Sequence, residues 1–253
     1  MPEYEKIKII TIVNNAEIFR AGLLVSDAKV LASVDIVKID NFDNHYCSFA
    51  KALETVLVDC TDDELIVISH QDVVFYDNNS FARILEQAGT TTKDGYLLAG
   101  VVGRVKAAGH HEGKGVNSII SGGKELCFCR IDSPKPVDVI DECVIITNIR
   151  TIRDLHLFDD ERFRWHLYAA DASLRFQKAG YQPMVLPLKI NHLSSGNLDV
   201  EYFDLAKLLL KKYNRKEIYT TCGLVNKRIV RLRKMKRLFS LVSIKKWLKF
   251  GGR

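Results

Sequence analysis

The chain has 253 residues, 47% of them hydrophobic, enough for one large domain or for one domain with an appendage. Its net charge of +6 is unevenly spread: eleven of the 37 Lys and Arg follow Glu217 and no Asp or Glu does, so residues 1–217 carry 26 basic against 31 acidic groups. No stretch reaches the roughly 18 uninterrupted apolar residues of a spanning helix. The polar start Met1-Pro2-Glu3-Tyr4-Glu5-Lys6 lacks the form of a signal peptide, and the six cysteines make no CxxC pair, which reads as free thiols in a reducing cytoplasm.

Lys8 to Val13 predicts a first strand that runs into the polar Asn14-Asn15 loop. Glu17 to Ser26 predicts a short helix with Ile18, Phe19, Leu23 and Leu24 inward. Ser33 to Asp40 predicts a second strand ending in Asp40-Asn41, and Ser48 to Val58 a helix with Phe49, Leu53, Val56 and Leu57 on one face. Leu65 to Ile68 is an apolar run of the kind shown by a parallel strand buried on both faces. It ends in Ser69-His70-Gln71 and an acid, Asp72. The β-α-β-α-β order with short connections predicts a parallel sheet. Ligands of open α/β sheets lie beyond the carboxyl ends of such strands, and an acid there can hold a divalent metal that holds a diphosphate. A plain turn or helix cap is the competing account of Asp72. Neither GxGxxG nor a P-loop pattern is present, so no dinucleotide or P-loop site is supported.

Ser80 to Ala88 predicts a helix and Tyr96 to Gly103 a buried strand. Ala107 to Gly123 is Gly-rich and polar, a long loop whose adjacent His110 and His111 point different ways on most backbones. Lys124 to Arg130 and Val137 to Thr147 predict two strands, the second carrying Asp138, Asp141 and Glu142 inside an apolar run. Acids there face solvent at a sheet edge or face a substrate. A helix follows over Ala169 to Ala179, with Gly180 as its cap and Asp171 in its first turn, where the helix dipole alone would favour an acid. Gln182 to Ile190 is a last strand; His192 after it is a ligand or a loop residue. Glu201 to Asn214 is a further helix.

Residues 1–217 read as one domain and 218–253 as a basic helical segment. In the latter, Val225, Ile229, Leu232, Met235, Phe239 and Val242 recur at helical spacing among Lys and Arg, and Trp247, Leu248 and Phe250 add apolar weight. This composition over 225–250 fits an interfacial helix on an anionic membrane surface. Packing within an oligomer or on its own body is the next alternative. Nucleic acid is not expected, because no aromatic precedes Phe239 in the basic stretch.

Together these positions resemble the family 2-like bacterial glycosyltransferases of GT-A fold, of the capsule and surface-polysaccharide type. Three pieces over residues 7 to 197 carry the resemblance. Ile68-Ser69-His70-Gln71-Asp72-Val73-Val74-Phe75 is similar to the metal-binding DxD element. Trp165-His166-Leu167-Tyr168-Ala169-Ala170-Asp171, running on to Leu174-Arg175 and Ala179-Gly180-Tyr181, is similar to the acceptor-side helix. Asn191-His192-Leu193-Ser194-Ser195-Gly196 is similar to the His-Ser element after the last strand.

The resemblance implies an α/β GT-A (Rossmann-like) fold, with a mostly parallel central sheet flanked by helices and a C-terminal amphipathic basic helix. It implies a nucleotide-diphospho-sugar donor, with a UDP-sugar favoured, and a saccharide or lipid-linked saccharide acceptor. It further implies inverting transfer, a divalent metal (Mn2+ or Mg2+) and a peripheral place on the inner face of the cell membrane. Asp72 and His192 match the metal ligands; Val13, Asn14, Asp40, His70, Gln71 and Asp141 match the donor-binding positions. Asp171 matches the catalytic base, with His166 as the alternative; the family's Glu-Asp pair is replaced by Tyr168-Ala169. A nucleotidyltransferase and a non-catalytic nucleotide- or sugar-binding module are the rival functions.

Overall fold

The computed structural model of the chain describes residues 7–26, 34–62, 64–76, 80–117, 119–126, 129–194 and 198–237. Its strands in chain order are β1 (Ile7–Val13), β2 (Asp35–Asp40), β3 (Leu65–Ser69), β4 (Val73–Phe75), β5 (Leu98–Gly100), β6 (Gly103–Ala107), β7 (His110–Val116), β8 (Ile119–Ser121), β9 (Lys124–Leu126), β10 (Lys135–Pro136), β11 (Val139–Ile140), β12 (Val144–Asn148), β13 (Met184–Val185), β14 (Ile190–His192), β15 (Glu217–Thr220) and β16 (Gly223–Asn226). The helices are α1 (Ala16–Ala21), α2 (Phe49–Leu57), α3 (Ser80–Thr91), α4 (Ile149–Leu155), α5 (Tyr168–Lys178) and α6 (Val200–Lys212), and residues 227–237 are also helical.

Among the described residues the main sheet has seven strands, ordered β10-β13-β5-β12-β3-β1-β2. β2, β1 and β3 pair in parallel, with Ile9 beside both Ile36 and Val67. β12 runs antiparallel between β3 and β5, β13 is parallel to β5, and β10 is an antiparallel edge. Five of the seven strands therefore point one way. The carboxyl ends of β1, β2 and β3 open side by side, where the apolar run before Asp72 predicts a ligand site.

Side chains alternate between the two faces of each strand. In β3, Ile66 and Ile68 join the core beneath α2, α5 and α6, with Phe49, Leu53, Phe176 and Leu209. Leu65 and Val67 join the other core, with Phe19, Phe81 and Ile84 from the helices on the opposite face. All five β3 residues are buried, and this two-sided burial selects the continuous apolar pattern over an alternating one.

Several elements depart from expectation. The predicted helix over Glu17–Ser26 stops at Ala21 and continues as a 3-10 turn at Leu23–Val25, which leaves Ile18 and Leu24 exposed. The stop falls at Gly22, where an added Cβ would lie 2.2 Å from the Gln71 carbonyl oxygen and 2.6 Å from Asp72 Cα. The strand predicted over Tyr96–Gly103 divides into β5 and β6, and the expected loop over 107–123 contains β7 and β8 instead. Val137–Thr147 divides into β11 and β12, with Asp141, Glu142 and Cys143 in the break. The last predicted strand divides into β13 and β14, and α4 occupies a stretch with no predicted element.

The segment after residue 217 is not helical from its start. β15 and β16 form a hairpin joined to the body by the Lys106–Glu217 ion pair and by Thr221, and helix begins at residue 227. Ser33, residues 127–128, Ser195-Gly196 and the tail beyond residue 237 lie outside the described residues. Among the described residues, no helix is long and apolar enough to cross a membrane.

Candidate active site

The ends of β1 and β2 are tied together by the Asn41 amide, which donates to the Val13 carbonyl at 2.8 Å. The loop after β1 is held from β3's end by one side chain. Gln71 Oε1 accepts from the amides of Asn14 and Asn15 at 3.2 and 3.1 Å, and its amide nitrogen donates to Asn14 Oδ1 at 2.6 Å. Beyond these ends lies a cavity of about 490 Å³ lined by Asn14, Asn41, Phe49, His70, Gln71 and Asp72, among others. Val13 and Asp40 do not line it. Val13 is fully buried, and Asp40 turns outward to Lys38 and to the Phe42 amide. Asn41 faces the cavity in place of the acid beside it.

At one end of this cavity three groups converge. β14 pairs with β4 so that His192 lies opposite Val73, next to Asp72. His192 Nε2 is 3.2 Å from Asp72 Oδ1 and 3.3 Å from His70 Nδ1. The Leu193 amide donates to the Asp72 carbonyl and the Ser194 amide to Asp72 Oδ2, so the His-Ser element and the strand-end acid are one unit. His70 Nε2 lies 3.0 Å from the Tyr168 hydroxyl, whose ring stacks on Phe49 at 4.0 Å.

The charges follow from this packing. Burial, with the nearby His192, pushes His70 down to about 4, so it is neutral at pH 7. Burial would raise Asp72, but His192 and Ser194 outweigh it and hold the carboxyl well below its usual range. Burial would lower His192, but pairing with Asp72 leaves it raised.

The donor set fits a divalent cation. One atom each from His70, Asp72 and His192 lies within 4.8 Å of the others. The separations of His192 from Asp72 and from His70 match the roughly 3 Å between neighbouring ligands of an octahedral ion with bonds of about 2.1 Å. Tyr168 engages the His70 nitrogen that faces away, which fixes the ring as metal-ligating histidines require.

A second cavity, of about 420 Å³, meets the first at His70, Trp165 and Ser194. Asp141, Glu142, His166, His192, Tyr202 and Thr221 are among its lining residues. The strand break puts the two acids there: the His70 amide donates to the Cys143 carbonyl and the Asp141 amide to the Val102 carbonyl. Asp141 therefore lies in the second cavity, not beside Asn14. Its carboxylate accepts from the Cys143 amide and the Thr221 hydroxyl, and these bonds hold it below its usual range despite burial. His166 lines the same cavity, 3.5 Å from Asp199.

Asp171 lines neither cavity. It is buried on the far side of α5's first turn, 2.7 Å from Lys212 Nζ and 2.9 Å from the Tyr213 hydroxyl. As the expected base it would have to reach a substrate hydroxyl from outside both cavities, with Lys212 and Tyr213 holding its carboxylate. Glu142, for which the sequence left open a solvent-facing or substrate-facing place, and Tyr168, which it assigned no role, line the two cavities. The one sequence signal for Glu142 was an acid inside an apolar run.

No family model matches the chain, and no curated protein sequence matches it. Solved structures do. A crystal structure of GalNAc-T7 with UDP, GalNAc and Mn2+ superposes over 83% of this chain and 50% of its own length, with a TM-score of 0.55 at 8% identity. Residues 1–349 of S. aureus TarS superpose over 82% of this chain and 65% of their own, with a TM-score of 0.48 at 12% identity. The chain thus spans half the length of the GalNAc-T7 structure. A large central sheet flanked by helices, opening at its strand ends onto a His-Asp-His cluster, is in this chain the fold of the GT-A glycosyltransferases.

Proposed function

We propose that the protein is a metal-dependent glycosyltransferase, which moves a sugar from a nucleoside-diphosphate donor to a saccharide hydroxyl with inversion at the anomeric carbon. The observation that carries this is the His70–Asp72–His192 cluster at the end of the strand-end cavity. The GalNAc-T7 structure, which holds UDP and Mn2+, supports the donor class and the metal class.

Asn14 and Asn41 offer polar groups to the base and ribose, and Phe49 gives that cavity an aromatic wall. Gln71 keeps the β1 loop in place by bonding its amides. His70, Asp72 and His192 would hold the cation; two imidazoles and a carboxylate favour Mn2+ over Mg2+. When bound, the cation neutralises the charge that develops on the departing diphosphate.

Basic and apolar residues mix on the exposed face of 227–237, where Leu232 and Met235 stand among Arg228, Arg231 and Lys236. This supports a place on an anionic membrane surface, facing a lipid-linked acceptor of surface-polysaccharide assembly at the inner face of the cell membrane. Arg228→Glu with Arg231→Glu is expected to abolish sedimentation with anionic liposomes; undiminished sedimentation would remove the membrane role.

The test of the activity is release of nucleoside diphosphate from UDP-, GDP- and dTDP-sugars in Mn2+. One donor class should be turned over by the wild type and not by Asp72→Ala. The first-formed anomer of the released sugar, read by proton NMR, should be inverted relative to the donor. Turnover unaffected by Asp72→Ala would reject the metal site, and a retained anomer would reject inversion.

A further inference from the structure

Inverting transfer needs a base that reaches the acceptor hydroxyl. With Asp171 bound to Lys212, the acids of the second cavity are the remaining carboxylates. Asp141 is spent: one oxygen takes the Cys143 amide, the other the Thr221 hydroxyl. Glu142 is different. Its Oε1 is buried and has no hydrogen-bond partner, and its side chain lines the cavity. A buried acceptor oxygen without a donor is costly, and an entering hydroxyl would satisfy it.

The position of Glu142 also answers a question raised by α5. The helix starts at Leu167, a residue in left-handed conformation (φ 63°) whose side chain cannot cap it. The backbone amides of Leu167, Tyr168 and Ala169 at this helix start instead draw the Glu142 carboxyl toward its ionised form, against its burial. Glu142 thus reaches the start of α5 from the β11–β12 break.

We propose that the second cavity takes the acceptor saccharide and that Glu142 is the general base that removes the proton of the attacking hydroxyl. This rests on the glycosyltransferase reading above. In the step, the hydroxyl oxygen bonds to the anomeric carbon. The bond from that carbon to the β-phosphate oxygen breaks, its electron pair leaves with the nucleoside diphosphate, and the proton ends on Glu142. Trp165, which lines both cavities, forms part of the wall at which donor sugar and acceptor meet.

The electrostatics agree. Burial, with Asp141 beside it, pushes Glu142 up to about 8, against the pull of the three helix amides. The groups that face it from the packed elements are Asp141 on its own loop, Tyr168 from α5, Tyr202 from α6 and Cys222 from the β15–β16 turn. Burial raises both tyrosines, so they are neutral at pH 7. Two neighbouring carboxylates with their affinities for protons driven apart mark an acid–base site. A base works when deprotonated, so turnover should rise with pH through about 8.

The experiment measures hydrolysis of the donor, with water as acceptor, for a panel of UDP-, GDP- and dTDP-sugars with Mn2+ on the full chain. Glu142→Gln should lower turnover by about 10²–10⁴-fold. It should keep the wild-type thermal shift with UDP and Mn2+, because Glu142 does not line the cavity proposed for the nucleotide. Glu142→Asp should recover part of the rate and keep a rising pH limb, and Asp171→Asn should remain active. Undiminished turnover in Glu142→Gln, or a flat wild-type profile between pH 6.5 and 9, would overturn the assignment and leave the glycosyltransferase reading standing. A wild type that neither binds nor turns over any of these nucleotides would sink that reading, and the base with it.

Discussion

The Tyr168 hydroxyl lies 3.0 Å from His70 Nε2 and joins the start of α5 to the end of β3. His70 is neutral at pH 7; in the tautomer whose Nε2–H donates to Tyr168, the Nδ1 lone pair is left for a cation. Phe49, stacked on the Tyr168 ring, holds that hydroxyl in place. Tyr168→Phe removes the partner and keeps the ring. Mn2+ affinity should fall by about 10–100-fold, as for other lost supports of ligating histidines. Calorimetric titration of Mn2+ checks this.

The His192–Asp72 pair gives the metal-free protein a pH signature. His192 is raised above 6.5, so its contribution is full below 6.5 and fades as pH rises through the raised value. Asp72 is lowered below 3.8, so its contribution is full above 3.8 and fades as pH falls through the lowered value. The pair therefore stabilises most between these two limits. His192→Ala should cost more melting temperature at pH 5.5 than at pH 8.5 in EDTA. With Mn2+ the order should reverse, because protons and the cation compete for the same nitrogen. Melting scans at both pH values measure it.

Gly22 sets the distance between α1 and the metal loop. An alanine there would place its Cβ 2.2 Å from the Gln71 carbonyl, an approach only backbone movement could relieve. The Leu23 amide also bonds that carbonyl, so the shift reaches the Gln71–Asp72 backbone. Gly22→Ala should cost about 1–3 kcal/mol of stability, as over-packing does, and weaken UDP binding beyond that of a surface control. Urea unfolding and UDP titration measure the two effects.

Lys212 lies 2.7 Å from both Asp160 and Asp171, and all three side chains are largely buried. Removing the shared cation leaves Asp160 with Arg162 and Asp171 with the Tyr213 hydroxyl, so Lys212→Met should cost about 1–3 kcal/mol. Asp171→Asn should cost less, because Lys212 keeps Asp160 and burial already raises Asp171 against its ionised form. Denaturant unfolding should rank the variants in this order.

β3 was legible in the sequence because burial on both faces leaves only apolar residues between Leu65 and Ile68, with a polar group at once after them. Asp72 and His192 were legible for the same reason, each standing directly at a strand end. α4 was hidden because Ile149, Thr151 and Ile152 extend the β-branched run of β12 past the helix cap at Asn148. β7 was hidden because His110 to Val116 is rich in Gly and polar residues and lacks alternation. The Asp171–Lys212 pair was not legible, because an acid in a helix's first turn looks the same in sequence whatever it meets. Glu142 could be noticed but not placed: its site is assembled from the β11–β12 break, the start of α5 and the β15–β16 turn, which only folding brings together.

The central claim is a metal–diphosphate site at Asp72, and thermal shift with UDP, GDP and dTDP, each with and without Mn2+, on wild type and Asp72→Ala tests it most directly. A nucleotide at 100 times its Kd adds about 2.7 kcal/mol to stability, which a melting curve resolves. The account predicts a shift with one nucleotide that needs both Mn2+ and Asp72. A shift of equal size without Mn2+, or in Asp72→Ala, would contradict it.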